Sequence, residues 1–238
     1  MRKEVSTKYT IKAAYTDTTI RVYQAFRPAI AKHALKAGRF VPPFNMERMT
    51  WIKPSFNWMM YRSGFASKPG QEYVLGIDIT REGFEWALKN AALSTFHPDI
   101  HASQNAWKKL QREKPVRIQW DPERDYQLKK IPNVRAIQIG LSRQVVRLYV
   151  EKWIKNIEDM TELAHQIALD VKEHRIPTYL PDQHETTYPF DISRLGIVPK
   201  LPEKKQNPER SVHKDTQRLF VLHEKAEASV SKPPSRNR

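Results

Sequence analysis

Two periods of apolar and polar residues alternate along this chain, and the switches between them mark out its elements. Ile20, Val22, Gln24 and Phe26 interleave with Arg21, Tyr23 and Ala25, a period of two that predicts a strand. Pro28 then suits a first helical position, Ile30, Ala31, Ala34 and Leu35 share one face, and Gly38 closes the helix. The run from Met49 to Ile52 reads as a second strand, and Pro54 opens a helix with Phe56, Met59 and Met60 inward and Gly64 as its stop. Tyr73 to Ile79 reads as a buried strand, after which Thr80 caps a helix carrying Phe84, Leu88 and Ala91 on one stripe.

Further on, a helix is expected through Ala102–Gln111. Strands follow where Val116, Ile118 and Trp120 alternate, and again at Ile137, Ile139 and Leu141. Ser142 caps what reads as the longest helix, because Val145, Val146, Tyr149, Trp153 and Ile157 recur at helical spacing. Thr161 starts another helix ending near His174, and the proline-rich text from 175 to 200 reads as a wrapping segment. The expectation is an α+β fold of about five strands and five to six helices. It forms one compact domain over residues 15–200, after an extension at 1–14. Residues 201–238, with four prolines and no glycine, read as a basic, flexible tail.

Composition narrows the function. The 238 residues carry 41 Lys+Arg against 26 Asp+Glu, a net charge of +15, so an anionic partner is expected: nucleic acid or another polyanion. With no cysteine there is neither a disulfide framework nor a thiolate nucleophile nor a Cys-ligated metal. No apolar run is long enough to span a membrane and no signal peptide opens the chain. The expected location is therefore the cytoplasm, or the nucleus in a eukaryote. The seven glycines form no dinucleotide fingerprint, phosphate loop or nucleophile elbow.

Three clusters could carry chemistry. Between Arg48 and Gly64 lie Trp51, Phe56, Trp58 and Tyr61 with Lys53 and Arg62, a mixture of rings and cations that suits a phosphorylated, base-containing ligand. Asp121, Glu123 and Asp125, interleaved with Pro122 and Arg124, place three carboxylates at the expected mouth of a strand, with Arg117 and Arg124 to offset their repulsion. Gln24 is a polar residue in an apolar row and needs partners if buried. Arg143, Arg147, Lys152 and Lys155 give the long helix a basic face. His97 and His101 flank Pro98 with no third ligand in view, so no metal site is expected there, and His33 and His165 read as surface residues.

The blocks Ile20–Phe26, Met49–Gly64, Gln119–Asp125 and Ile137–Leu141 resemble domain of unknown function 4291, over roughly residues 15–175. That resemblance implies a shared fold rather than an activity. More remotely, the order of elements resembles ADP-ribosyltransferases, including those acting on nucleic acid, although no Ser-Thr-Ser triplet is present. This second resemblance implies an NAD-dependent transferase. Arg21 or Gln24 would anchor the nicotinamide–ribose half of NAD, with Glu123 stabilising the oxocarbenium-like charge as nicotinamide leaves. Tyr23, Trp51, Lys53, Ser55, Tyr61 and Arg62 would line the cofactor, and Arg48, Arg117, Arg124, Arg143 and Arg147 would meet a nucleic acid acceptor. Two alternatives stand beside it. A nuclease would hold Mg²⁺ on Asp78, Asp121, Glu123 and Asp125, with Lys129 nearby, and a non-catalytic nucleic-acid-binding domain would use only the cations and rings.

Overall fold

A computed structural model describes residues 8–199; the expected tail at 201–238 lies outside them. Among these residues are nine strands and six α-helices, an α+β domain as the alternating periods predict. Strand β1 (Lys12–Ala13) pairs with β9 (Thr186–Thr187). Ile11 and Ala13 are buried in the main core, so the domain starts before residue 15.

A three-stranded antiparallel sheet has the order β2 (Thr19–Phe26), β4 (Tyr73–Thr80), β8 (Ile154–Asp159). A four-stranded sheet has the order β3 (Thr50–Ile52), β7 (Lys130–Leu141), β6 (Val116–Arg124), β5 (Ala91–Leu93), with only β5–β6 parallel. The two sheets meet at a seam: the amide of Tyr23 donates to the carbonyl of Lys53 at 2.7 Å, a single bridge between β2 and the residue after β3.

Because strand side chains alternate, each sheet has two distinct faces. Ile20 and Val22 of β2 join Leu75, Ile77 and Ile79 of β4 in the main core. Helices α1 (Pro28–Ala37) and α3 (Arg81–Lys89) contribute Ala31, Ala34, Phe84 and Leu88 to it. Val116, Ile118, Ile137, Ile139 and Leu141 carry that core across the second sheet. The opposite face of the three-stranded sheet is covered by α2 (Phe56–Ser63) and α6 (Thr161–Lys172), where Tyr23, Phe56, Met59, Met60 and Ala164 pack together. Three of the expected caps are present. Gly38 and Gly64 end α1 and α2 in the left-handed conformation, and Thr80 accepts the amide of Gly83 at 3.2 Å.

Helix α4 (Gln104–Glu113) lies where expected. The longest helix does not: α5 (Gln144–Leu148) passes into one π-helical turn, Tyr149–Trp153, and the chain then becomes β8. Nor does Ser142 cap it: its hydroxyl donates to the Pro115 carbonyl at 2.7 Å, and the residue before α5 is Arg143, with no side-chain cap. Ile157 therefore belongs to a strand pairing with Ile77, and Lys155 leaves the helical face assigned to it. Ile154 and Ile157 are half-buried on an edge strand, and their spacing of three imitates a helix.

Candidate functional site

The seam places polar residues where two sheets join. On β3 and just beyond it, Trp51 and Lys53 face away from the main core. On β7 and β6 the same face carries Gly140 and Gln138, then Arg117, Gln119 and Asp121. Cross-strand pairs link Trp51 to Gly140, Arg117 to Gly140 and Gln119 to Gln138. A Cβ on Gly140 would come within 3.0 Å of the Trp51 ring, so the missing side chain lets that indole lie across β7. Gln119 and Gln138 both donate to Asp121.

Beside this face opens a cleft of about 690 Å³. Arg27, Arg48, Lys53 and Arg62 line it together with Phe26, Phe44 and Trp51, and no carboxylate among the described residues does. Gln24 also reaches its wall, where Nε2 donates to the Thr50 hydroxyl at 2.7 Å and to the Trp51 carbonyl at 3.0 Å. Tyr149 donates its hydroxyl to Gln24 Oε1 at 2.7 Å. Gln24 is thus a satisfied buried amide, and its polarity calls for no ligand.

Lys53 is the unusual member. It is only 7% exposed and makes no ion pair among the described residues. Its Nζ donates to the Trp51 carbonyl at 3.1 Å and lies 5.6 Å from the centre of the Trp58 ring. Burial pushes its pKa down to about 7, with Arg62 pushing the same way and Asp121 opposing.

Arg21 leaves β2 on the other face. It grips Asp78 through Nε at 2.5 Å and Nη2 at 2.7 Å, and Glu158 through Nη1 at 2.7 Å. The bonds to Asp78, and after them the bond to Glu158, raise the pKa of this guanidinium by more than burial lowers it. With Tyr23, Tyr179 and His184 it borders a separate cavity of about 370 Å³ in which its charge is already matched. Arg21 and Gln24, the alternatives for one anchoring role, therefore serve different cavities.

Glu123 also departs from expectation. Strand β6 does not end at Pro122 but runs to Arg124 through a register shift. Asp121, Glu123 and Asp125 consequently do not converge at a mouth. Asp121 stays on the polar sheet face and Asp125 caps its own turn at Lys129. Glu123 is buried, accepting from the Ser55 hydroxyl and the Arg124 amide, each at 2.8 Å. Burial raises its pKa despite those two bonds.

Ser55 also accepts the amide of Trp58, capping α2, and two further acids gather at that helix start. Glu185 accepts the Phe56 amide at 2.7 Å, and Asp182 accepts from Asn57 at 2.8 Å. Neither acid stood out in the sequence, because each lies more than a hundred residues from its helix partner. Glu123, Ser55 and Tyr61 line neither of the two cavities.

Tyr61 is stacked under Arg124, whose guanidinium carbon lies 3.7 Å from the ring centre. Arg124 also donates to the Leu128 carbonyl. Of the other cations, Arg117 donates to the carbonyls of Gln111, Lys114 and Val116, and Arg143 to that of Arg112, so both brace the far edge of the second sheet. Arg147 pairs with Glu47 on the surface. From the expected nucleic-acid set only Arg48 lines the cleft. From the expected cofactor set, Trp51, Lys53 and Arg62 do.

The family model described as domain of unknown function (DUF4291) matches residues 10–186, which takes in both sheets and the cleft. The chain belongs to that family. No curated protein matches this DUF4291 chain. Among its described residues no helix is long and apolar enough to cross a membrane, and no group of three or more His, Asp or Glu is placed to hold a metal ion.

Proposed function

We propose that this DUF4291 domain binds a phosphorylated, base-bearing ligand, a nucleotide or one nucleotide unit of a nucleic acid strand, in the cleft at the seam. The observation that carries this reading is the lining itself: four cations, no carboxylate among the described residues, and the rings of Phe26, Phe44 and Trp51 at the same walls. Fixed guanidinium forks complement phosphate oxygens, and aromatic faces stack on any base.

An NAD-consuming ADP-ribosyl transfer would be a catalytic form of the same binding. Its support is the remote order of elements and the cations and rings of the cleft, which suit the two phosphates and two bases of NAD as they suit other nucleotides. Its cost is geometric, because Arg21 faces another cavity and Glu123 is held by Ser55. Release of free nicotinamide from NAD tests it directly. The nuclease alternative loses its ligand set, since Asp78 is held by Arg21, Asp121 by two glutamines, Asp125 by its own turn and Glu123 by Ser55.

Polarisation titrations with labelled mononucleotides and short single strands test the binding. Arg48→Ala and Arg62→Ala should each weaken binding and flatten its salt dependence, by roughly 0.7 in the log–log slope for each phosphate no longer neutralised. Arg143→Ala and Arg147→Ala should leave both unchanged. Binding that ignores Arg48 and Arg62 but responds to Arg143 would overturn the assignment.

A further inference from the structure

A clamp for anions needs charge, and three of the four cations in the cleft are arginines, which keep theirs under all conditions. The fourth position holds a lysine where an ammonium is poorly tolerated. Lys53 is buried, unpaired with any carboxylate among the described residues, and beside the cation Arg62. Its surroundings favour the free amine, which is a poor phosphate clamp and a good nucleophile. Both contacts made by Nζ, a carbonyl oxygen and an indole face, leave the nitrogen lone pair free once a proton is lost.

We propose that Lys53 is a nucleophile that takes the nucleotidyl group from a pyrophosphate-linked nucleotide bound in the cleft. This rests on the binding reading above and deepens it. The Nζ lone pair forms a bond to the α-phosphorus, and the bond from that phosphorus to the bridging oxygen breaks. The bonding electrons leave with that oxygen, on pyrophosphate from a nucleoside triphosphate or on nicotinamide mononucleotide from NAD. Nζ sheds one proton to solvent in the open cleft, leaving a lysyl phosphoramidate. Arg48 and Arg62, on the same walls, neutralise the charge that grows on the leaving group, and Trp51 provides a face for the base. Such an adduct is an activated nucleotide: attack by a hydroxyl or phosphate acceptor at its phosphorus breaks the P–N bond, passes on the nucleotidyl group and returns the Lys53 amine.

The test uses the full chain in magnesium-containing buffer with nucleotides labelled at the α-phosphate, in separate arms for each ribonucleoside triphosphate and for NAD labelled in its adenylate half. The expected result is label that survives denaturation, is lost in acid and is stable in base, with the peptide containing Lys53 heavier by one nucleoside monophosphate. The arm that labels identifies the donor. Arg143→Ala, outside the cleft, should label like the wild type, whereas Lys53→Arg should abolish labelling. Peptide mapping of the wild-type adduct decides the site even if that variant fails to fold. Nucleotide binding without any adduct, or an adduct on another residue, overturns this proposal and leaves the binding reading intact. Absence of binding overturns the binding reading itself.

Discussion

The hydroxyl of Tyr149, in the π-helical turn, donates to Oε1 of Gln24 on β2 at 2.7 Å, while the amide nitrogen of Gln24 reaches Thr50 and the carbonyl of Trp51 across the seam. One side chain thus ties the turn after α5 to β2 and β3. The arrangement also costs Tyr149 its acidity, since complete burial raises that hydroxyl's pKa well above its ordinary value.

Gln24→Leu should therefore act as a structural lesion. It leaves the Tyr149 hydroxyl without its acceptor in a dry site, at a cost of about 1–3 kcal/mol for that buried group, and removes the bonds to Thr50 and Trp51 as well. Urea unfolding should show a loss of roughly 3 kcal/mol. An unchanged unfolding midpoint would mean that the network does not hold the seam.

Arg21 and Asp78 face each other across β2 and β4, and Arg21 also lies over Gly76, where a Cβ would come within 2.8 Å of Nη1. Arg21→Met should lower stability by about 2 kcal/mol, because it strands a half-buried carboxylate. It should leave nucleotide binding in the seam cleft unaltered. If NAD or nucleotide affinity falls with Arg21 while the fold persists, the ligand lies on the other side of β2 and the cleft assignment is wrong.

Glu185, Glu123 and Asp182 share the start of α2, and the first two have pKa values raised chiefly by burial. A carboxyl whose folded pKa lies above its unfolded one binds more protons when folded. Its contribution to stability is fully present below the unfolded value, near 4.3, and is lost as pH rises toward the folded value. Glu185→Gln keeps an acceptor for the Phe56 amide and removes the ionisation. The variant should match the wild type near pH 4 and exceed it at pH 8 in chemical denaturation, by a margin that grows as pH rises. Equal stability at both values would show that Glu185 titrates as if exposed.

What the sequence shows and hides follows from the range of each interaction. Helices α1 to α3 were legible because Pro28, Gly38, Gly64 and Thr80 act within a turn of themselves. Strand β8 was hidden because its two isoleucines are spaced like a helix and its identity comes from pairing with β4. Lys53 was visible as one cation among several. Its burial was not, because that depends on Tyr23 crossing to it from β2 and on Trp58 from α2. The alternation of Arg117, Gln119 and Asp121 with Val116, Ile118 and Trp120 did carry a signal for the polar face of β6. Which sheet face the cleft would open beside was set only by the bridge to β2.

The last prediction concerns the cost of keeping Lys53. Its folded pKa, about 7, lies below the value near 10.4 of an unfolded lysine, so between those limits the unfolded chain binds more protons. Stability contributed at this site is present above the unfolded value, declines as pH falls through the interval and is gone below about 7. Lys53→Met removes the charge and keeps much of the volume. It should stabilise the protein most at pH 6, by about 2–4 kcal/mol, with the gain shrinking toward zero by pH 10. The same variant should accept no nucleotidyl label. Urea midpoints at pH 6, 8 and 10 decide the matter: a gain that grows with decreasing pH identifies a lysine held against its own solvation, and a loss at pH 6 would mean that the ammonium is stabilised where it sits.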